Sequence, residues 1–157
     1  MLYNALIYPY LTYGVLIWGS TFPTYLNKII IMQKRAIRTI VHAPRNSHTH
    51  NIFCRLNLLK FEDIYKLYLG KYMYSQLNHL LPEPLLMRHF PCEEIHPHNT
   101  RQSKKLYKVN TRLAFVAKSF FKLGPDYWNI LPEDLKKCIT INNFNSKHKH
   151  HILHSYI

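Results

Sequence analysis

The sequence predicts a mostly α-helical fold, with an α+β alternative left open by one ambiguous stretch: a helical bundle followed by a short strand, turn and helix extension. Glycine is scarce, with 4 among 157 residues, so few positions can reach positive φ at low cost and a glycine-rich β barrel is disfavoured. Apolar residues recur at helical spacing over 26–43 and 61–79, and prolines mark the turns between such runs. A hydrophobic content of 47% is enough for a core and argues against general disorder.

The first 27 residues carry no charge, and YNALIYPYLTYGVLIWG could pass for a membrane span. Pro9 and Gly14 interrupt it, Asn4, Thr12 and four tyrosines dilute it, and no basic residue precedes it. It reads as a helix-like segment buried against protein, with its tyrosine hydroxyls partnered. A membrane-surface protein anchored by residues 1–18 is the rival.

Thr21 to Thr24, with Pro23 inside, reads as a turn into the clearest helix, 26–43. Leu26, Ile29, Ile30, Ile37, Ile40 and Val41 fall on one side of it, and Lys28, Lys34, Arg35, Arg38 and His42 fall opposite. Ile31 lies among the basic residues as an exception, and Pro44 ends the run. Ser47 is placed to cap a short helix through about Leu56. Residues 61–79 form a longer one, with Glu62 and Asp63 in its first turn and Pro82 and Pro84 beyond its end. Phe61, Ile64, Tyr68 and Tyr72 give that helix a buried face.

Residues 82–110 read as an irregular connector. Between 105 and 121, Val109, Leu113, Phe115, Val116, Phe120 and Phe121 admit a short strand or pair of strands as well as helix, and the choice stays open. Gly124-Pro125 marks a turn into 126–131, Pro132 with Glu133 and Asp134 resembles a second helix start, and Asn142 can cap a last basic helix.

Charge supplies the functional signal. Lys and Arg number 21 against 8 Asp and Glu, for a formal net charge of +13, and no acid precedes Glu62. Lys28, Lys34, Arg35, Arg38, Arg45, Arg55 and Lys60 have nothing nearby in sequence to neutralise them. A second acid-free stretch, 95–125, holds Arg101, Lys104, Lys105, Lys108, Arg112, Lys118 and Lys122. An external polyanion explains such a field, and nucleic acid leads. The predicted contacts are Lys28, Lys34, Arg35, Arg38, Arg45, Arg101, Lys104, Lys105, Lys108 and Arg112, acting on an RNA or DNA backbone.

Catalytic signals are weak. No glycine-rich phosphate loop, G-x-S-x-G elbow or H-E-x-x-H occurs. The acidic pairs Glu62-Asp63, Glu93-Glu94 and Glu133-Asp134 suit helix starts better than a two-metal site, so no catalytic residue is assigned. His89, Cys92, His96 and His98 could chemically hold zinc, but their spacing matches no ordinary finger. Lysines within the tail from Lys147 to His151 repel a cation, so no metal or cofactor is expected there either. Cys54, Cys92 and Cys138 are odd in number and far apart, which suits reduced thiols in an intracellular chain, nuclear or cytoplasmic.

The ordered series LYNALIYPYLTYGVLIWGS, LNKIIIMQKRAIRTI, LNLLKFEDIYKL, HNTR and GPDYWNILPEDLK resembles the carboxy-terminal part of reverse transcriptases from non-LTR (LINE, jockey-like) retrotransposons, from about Leu2 to Phe144. The resemblance implies a helical thumb-like region at 1–81, the connector at 82–110 and a carboxy-terminal extension at 111–157. It implies a clamp on a template and primer duplex, with the palm and fingers of a parent polymerase as partners and no membrane. The family's palm presents an adjacent Asp-Asp pair to two metal ions. This chain has no such pair, and its aspartates are Asp63, Asp126 and Asp134. The expected product is a truncated fragment without its own catalytic centre, with Met1 an internal methionine; the alternative is the thumb of an active polymerase in a longer parent.

Overall fold

The computed structural model describes residues 2–83, 89, 91–95, 103, 105–108 and 110–156. Among them every regular element is helical, and extended pairing is confined to an isolated antiparallel bridge between Pro91 and Leu106. The fold is mostly α. No helix is long and apolar enough to cross a membrane among the described residues. The chain divides into two compact units, Met1–Tyr68 with Lys149–Ile157, and Leu69–His148.

The uncharged start of the first unit is helical in three short pieces, α1 (Leu2–Leu6), α2 (Tyr8–Thr12) and α3 (Val15–Trp18). Pro9 fits the first turn of α2, where its missing N–H costs no helical bond. Gly14, at φ 59°, takes the left-handed conformation that redirects the chain into α3, and the Trp18 indole closes the corner by donating to the Tyr13 carbonyl at 2.7 Å. The expectation of a buried segment holds for one face. Tyr3, Leu11 and Val15 are buried, whereas Tyr10 (80%), Tyr13 (84%) and Ile17 (80%) face solvent.

Helix α4 (Pro23–Ile40) starts three residues before the predicted boundary, because Pro23 itself supplies a favourable first helical residue. It ends before Ala43, where His42 adopts φ 54° and breaks the helical path. Its Ile37 is buried and Leu26, Ile29, Ile30 and Ile40 pack against the core, as the periodicity predicted. Ser47 does not cap the next helix: its hydroxyl donates to the Pro44 carbonyl at 2.8 Å and stabilises the intervening turn. Helix α5 (His50–Arg55) has Thr49 at its N-cap position instead.

Helix α6 (Phe61–Leu77) carries Glu62 and Asp63 in its first turn, where acids complement the helix dipole. Phe61 stacks on Trp18 with ring centroids 5.2 Å apart. Gln33, buried in the middle of α4, ties the unit together. Its amide nitrogen donates to the Tyr3 hydroxyl (2.7 Å) and the Leu59 carbonyl (3.0 Å), and its carbonyl accepts the Phe61 N–H (3.0 Å). Tyr156, just beyond α11 (Ile141–His154), donates to Asp63 Oδ2 at 2.5 Å and accepts the Lys60 N–H at 2.9 Å.

The second unit contains α7 (Cys92–Ile95), α8 (Ala114–Ala117), α9 (Phe120–Ile130) and α10 (Glu133–Lys136). Its core gathers Met73, Tyr74, Trp128, Leu131, Leu135 and Phe144. Tyr74 stacks on Phe144 at 4.7 Å and donates to the Cys138 carbonyl at 2.7 Å. Among the described residues of 105–121 the strand option gives way to the bridge at Leu106, and Val109 lies outside them. The Leu106 N–H and C=O pair with the Asn129 side-chain amide at 3.0 and 2.8 Å, so a side chain completes what a neighbouring strand would.

The predicted Gly124-Pro125 turn is also corrected, because both residues lie inside α9 and are buried. A Cβ built on Gly124 would lie 2.6 Å from Met73 Sδ, so glycine serves close helix packing here. Pro132 precedes α10 and Glu133 and Asp134 fill its first turn, as expected. The cap of α11 is Thr140 rather than Asn142: Thr140 Oγ1 accepts the Asn143 N–H at 3.3 Å.

Candidate nucleic-acid interface

The basic side of α4 is a stripe set by spacing. Lys28, Ile31, Arg35 and Arg38 follow one another at intervals of three or four residues, which returns each to the same side of the helix, and His42, beyond the end of α4, lines the same groove. From Lys28 to Arg38 the stripe runs roughly 15 Å at 1.5 Å per residue. That length covers about four base-pair steps of a duplex at 3.4 Å each, several phosphates per strand. Beside it lies a polar groove of ≈ 890 Å³ lined by Ile31, Arg35, Arg38, Thr39, His42, Ala43 and Arg45. Ile31, the exception in the pattern, is an apolar contact point within that groove.

Lys28, Arg35 and Arg45 are exposed, and none has a hydrogen-bond or ion-pair partner among the described residues. Arg38 is engaged: its Nε and Nη2 donate to the Ser47 carbonyl at 3.1 and 3.0 Å. The guanidinium thus fixes the turn that presents Arg45 and still lines the groove. Lys34 lines a separate cavity with His50, Lys60 and Glu62. At 100° per residue it lies about 40° from Arg38 and about 100° from Arg35, at the edge of the basic side.

The second predicted block lies in the other unit. Lys105 and Arg112 are exposed. Lys108 is 3.1 Å from Asp126, whose other oxygen is 3.4 Å from Lys122, so part of this block is neutralised within the fold. Arg101 and Lys104 lie outside the described residues, as do His96 and His98 of the possible zinc set. His89 is half-buried, and burial holds its imidazole below the usual range. No group of three or more His, Cys, Asp or Glu able to hold a metal occurs among the described residues.

Several groups that could suggest chemistry have structural partners. Cys54 Sγ is 3.7 Å from His50 Nε2, the spacing of a loose thiol and imidazole pair. His50 Nδ1, however, receives the Lys60 ammonium at 3.1 Å, which leaves the proton on Nε2 to be donated to the Tyr156 carbonyl at 3.2 Å. That imidazole is not available as a base for the thiol. Asp63 accepts from Lys66 and Tyr156.

Gln33 was not singled out in the sequence, and Lys60 counted there only as charge. A polar residue at position 33 within an apolar run, on the side of Ile30 and Ile37, is the signal that could have exposed the first.

No protein-family model matches the chain, and no solved structure matches it. Among characterised sequences it is similar to the RNA-directed DNA polymerase from mobile element jockey of Drosophila funebris, 34% identical over 62 residues. The similarity covers 40% of this chain and 7% of that protein's length. Part of the chain is therefore related to a retrotransposon reverse transcriptase, of which it spans a small fraction.

Proposed function

We propose that this chain is the thumb and downstream part of a non-LTR retrotransposon reverse transcriptase, acting inside the cell, nuclear or cytoplasmic. It grips the backbone of a template and primer duplex without a catalytic centre of its own. The observation that carries this reading is the stripe of Lys28, Arg35 and Arg38 on α4, continued by Arg45 along the polar groove. Cations without internal partners have their full charge available to phosphates, and contacts to phosphates carry no base sequence. Lys105 and Arg112 supply further contacts.

The aspartates support the non-catalytic part of the proposal. Two-metal phosphoryl transfer needs carboxylates free to bind cations, whereas Asp63 and Asp126 are held by Lys66, Tyr156, Lys108 and Lys122. The exposed apolar side of α1 to α3 suits contact with the palm and fingers of a longer parent polymerase. The test is fluorescence anisotropy with RNA–DNA hybrids of unrelated sequence, alongside primer extension with magnesium. We expect similar affinity for every hybrid and no extension. Extension that an aspartate-to-asparagine change abolishes, or no binding to any hybrid, overturns the proposal.

A further inference from the structure

We propose that the cavity between α4, α5 and the start of α6 is an oxyanion pocket that takes a phosphate group. It is distinct from the groove beside the basic stripe. Its volume is ≈ 240 Å³, and Lys34, Thr49, His50, Lys60 and Glu62 line it. Water occupies roughly 30 Å³ per molecule, so the space holds a phosphate with part of its hydration shell.

Three independent features favour an anion. Lys34 has no ion-pair or hydrogen-bond partner among the described residues, and Lys60 brings a second ammonium, held in place by the His50 ring and 4.5 Å above the centre of the Tyr156 ring. The amino terminus of the 17-residue helix α6 opens here. The Phe61 N–H is taken by Gln33 and those of Asp63 and Ile64 by the Lys60 carbonyl. This leaves Glu62 as the first-turn residue whose N–H has no partner among the described residues. Such donors, at the positive end of the helix, suit an oxyanion.

The third feature is Thr49. The residue is only 8% exposed, yet its hydroxyl has no hydrogen-bond partner among the described residues. Thr49 lines the cavity, so its uncommitted hydroxyl offers a donor to an oxyanion bound there. The Glu62 carboxylate opposes an anion, but its side chain is exposed and can turn away into water. That opposition makes the proposal sharply testable.

An amide NMR titration of the whole chain with inorganic phosphate, against chloride at matched ionic strength, reads the site directly. Shifts are expected at Thr49, His50 and Glu62. Lys34→Gln should weaken binding about threefold to tenfold and Glu62→Gln should tighten it by a similar factor, the effect of one partly exposed charge. Arg35→Gln, which belongs to the groove, should leave the phosphate-induced shifts at Thr49, His50 and Glu62 unchanged even where it weakens phosphate contacts in the groove. Shifts that avoid the pocket, or an affinity indifferent to both Lys34→Gln and Glu62→Gln, overturn the proposal. Should Lys34→Gln fail to fold, Glu62→Gln carries the test alone.

The source of the phosphate is read by competition against an oligonucleotide with a terminal phosphate and its hydroxyl-ended twin. Competition with the first alone assigns a terminal phosphate, with both a backbone phosphate, and with neither a free phosphate; each result supports the pocket. Because the groove variant Arg35→Gln is scored separately, failure of the pocket and failure of the duplex-binding proposal remain distinguishable.

Discussion

Gln33 illustrates how one side chain can organise a unit. Its amide reaches residues 30, 26 and 28 positions away and satisfies both a backbone carbonyl and a backbone N–H. Replacing it with leucine keeps the volume but strands those groups, and each buried unmet partner costs about 1 to 3 kcal/mol. Gln33→Leu should therefore lower the unfolding free energy by about 2 to 4 kcal/mol in a urea titration. A variant as stable as the parent would show that water reaches this site. The place of Gln33 on the apolar side of α4 was legible in the sequence, but its partners were not, because they are distant along the chain and no local pattern encodes them.

Tyrosine ionisation gives a second test at this scale. Burial raises the pKa of Tyr3, Tyr8, Tyr65, Tyr72 and Tyr156, and the Asp63 carboxylate raises Tyr156 further. Below the unfolded value of about 10 both states keep these protons and the stability is fully present. Above it the unfolded chain ionises first, so stability falls as pH rises toward the folded values. Thermal melts should show the midpoint dropping from pH 10 upward, with the tyrosinate absorbance of these five rings appearing at unfolding. Ionisation of all 12 tyrosines near pH 10 in a chain that stays folded would contradict the burial of these rings.

At the scale of elements, legibility tracks locality. The apolar face of α4 was readable because Ile30, Ile37 and Ile40 repeat within one helix, and the acids opening α6 and α10 mark local dipole chemistry. Gly124-Pro125 misled because its turn signal is overridden by packing against Met73, a residue from another helix. Trp128, four residues on, is buried against Phe144 at 5.9 Å. Trp128→Ala should cost about 3 to 5 kcal/mol in the same titration, whereas a surface indole would leave the melting curve unmoved. Helices α1 to α3 expose Leu6, Tyr10 and Ile17 on one uncharged segment, so the isolated chain should self-associate in detergent-free light scattering. A monomer at high concentration would count against that exposed surface.

Across the whole molecule, net charge was legible but its distribution was not. The stretch 95–125 contains no acid, yet Asp126, one residue beyond it, pairs with Lys108 and Lys122. Lys28, Arg35 and Arg45 keep their charge outward, and on them rests the central claim that this chain holds a nucleic-acid backbone. Each phosphate contact releases condensed counterions, so log affinity falls with log salt by about 0.9 per contact on a duplex. The most direct measurement is the salt dependence of duplex binding for the parent chain and for Lys28→Gln/Arg35→Gln/Arg45→Gln, which spares the structural Arg38. We predict weaker binding to every sequence and a slope shallower by up to about 2.7 units. An unchanged affinity and slope in a folded triple variant would contradict the claim.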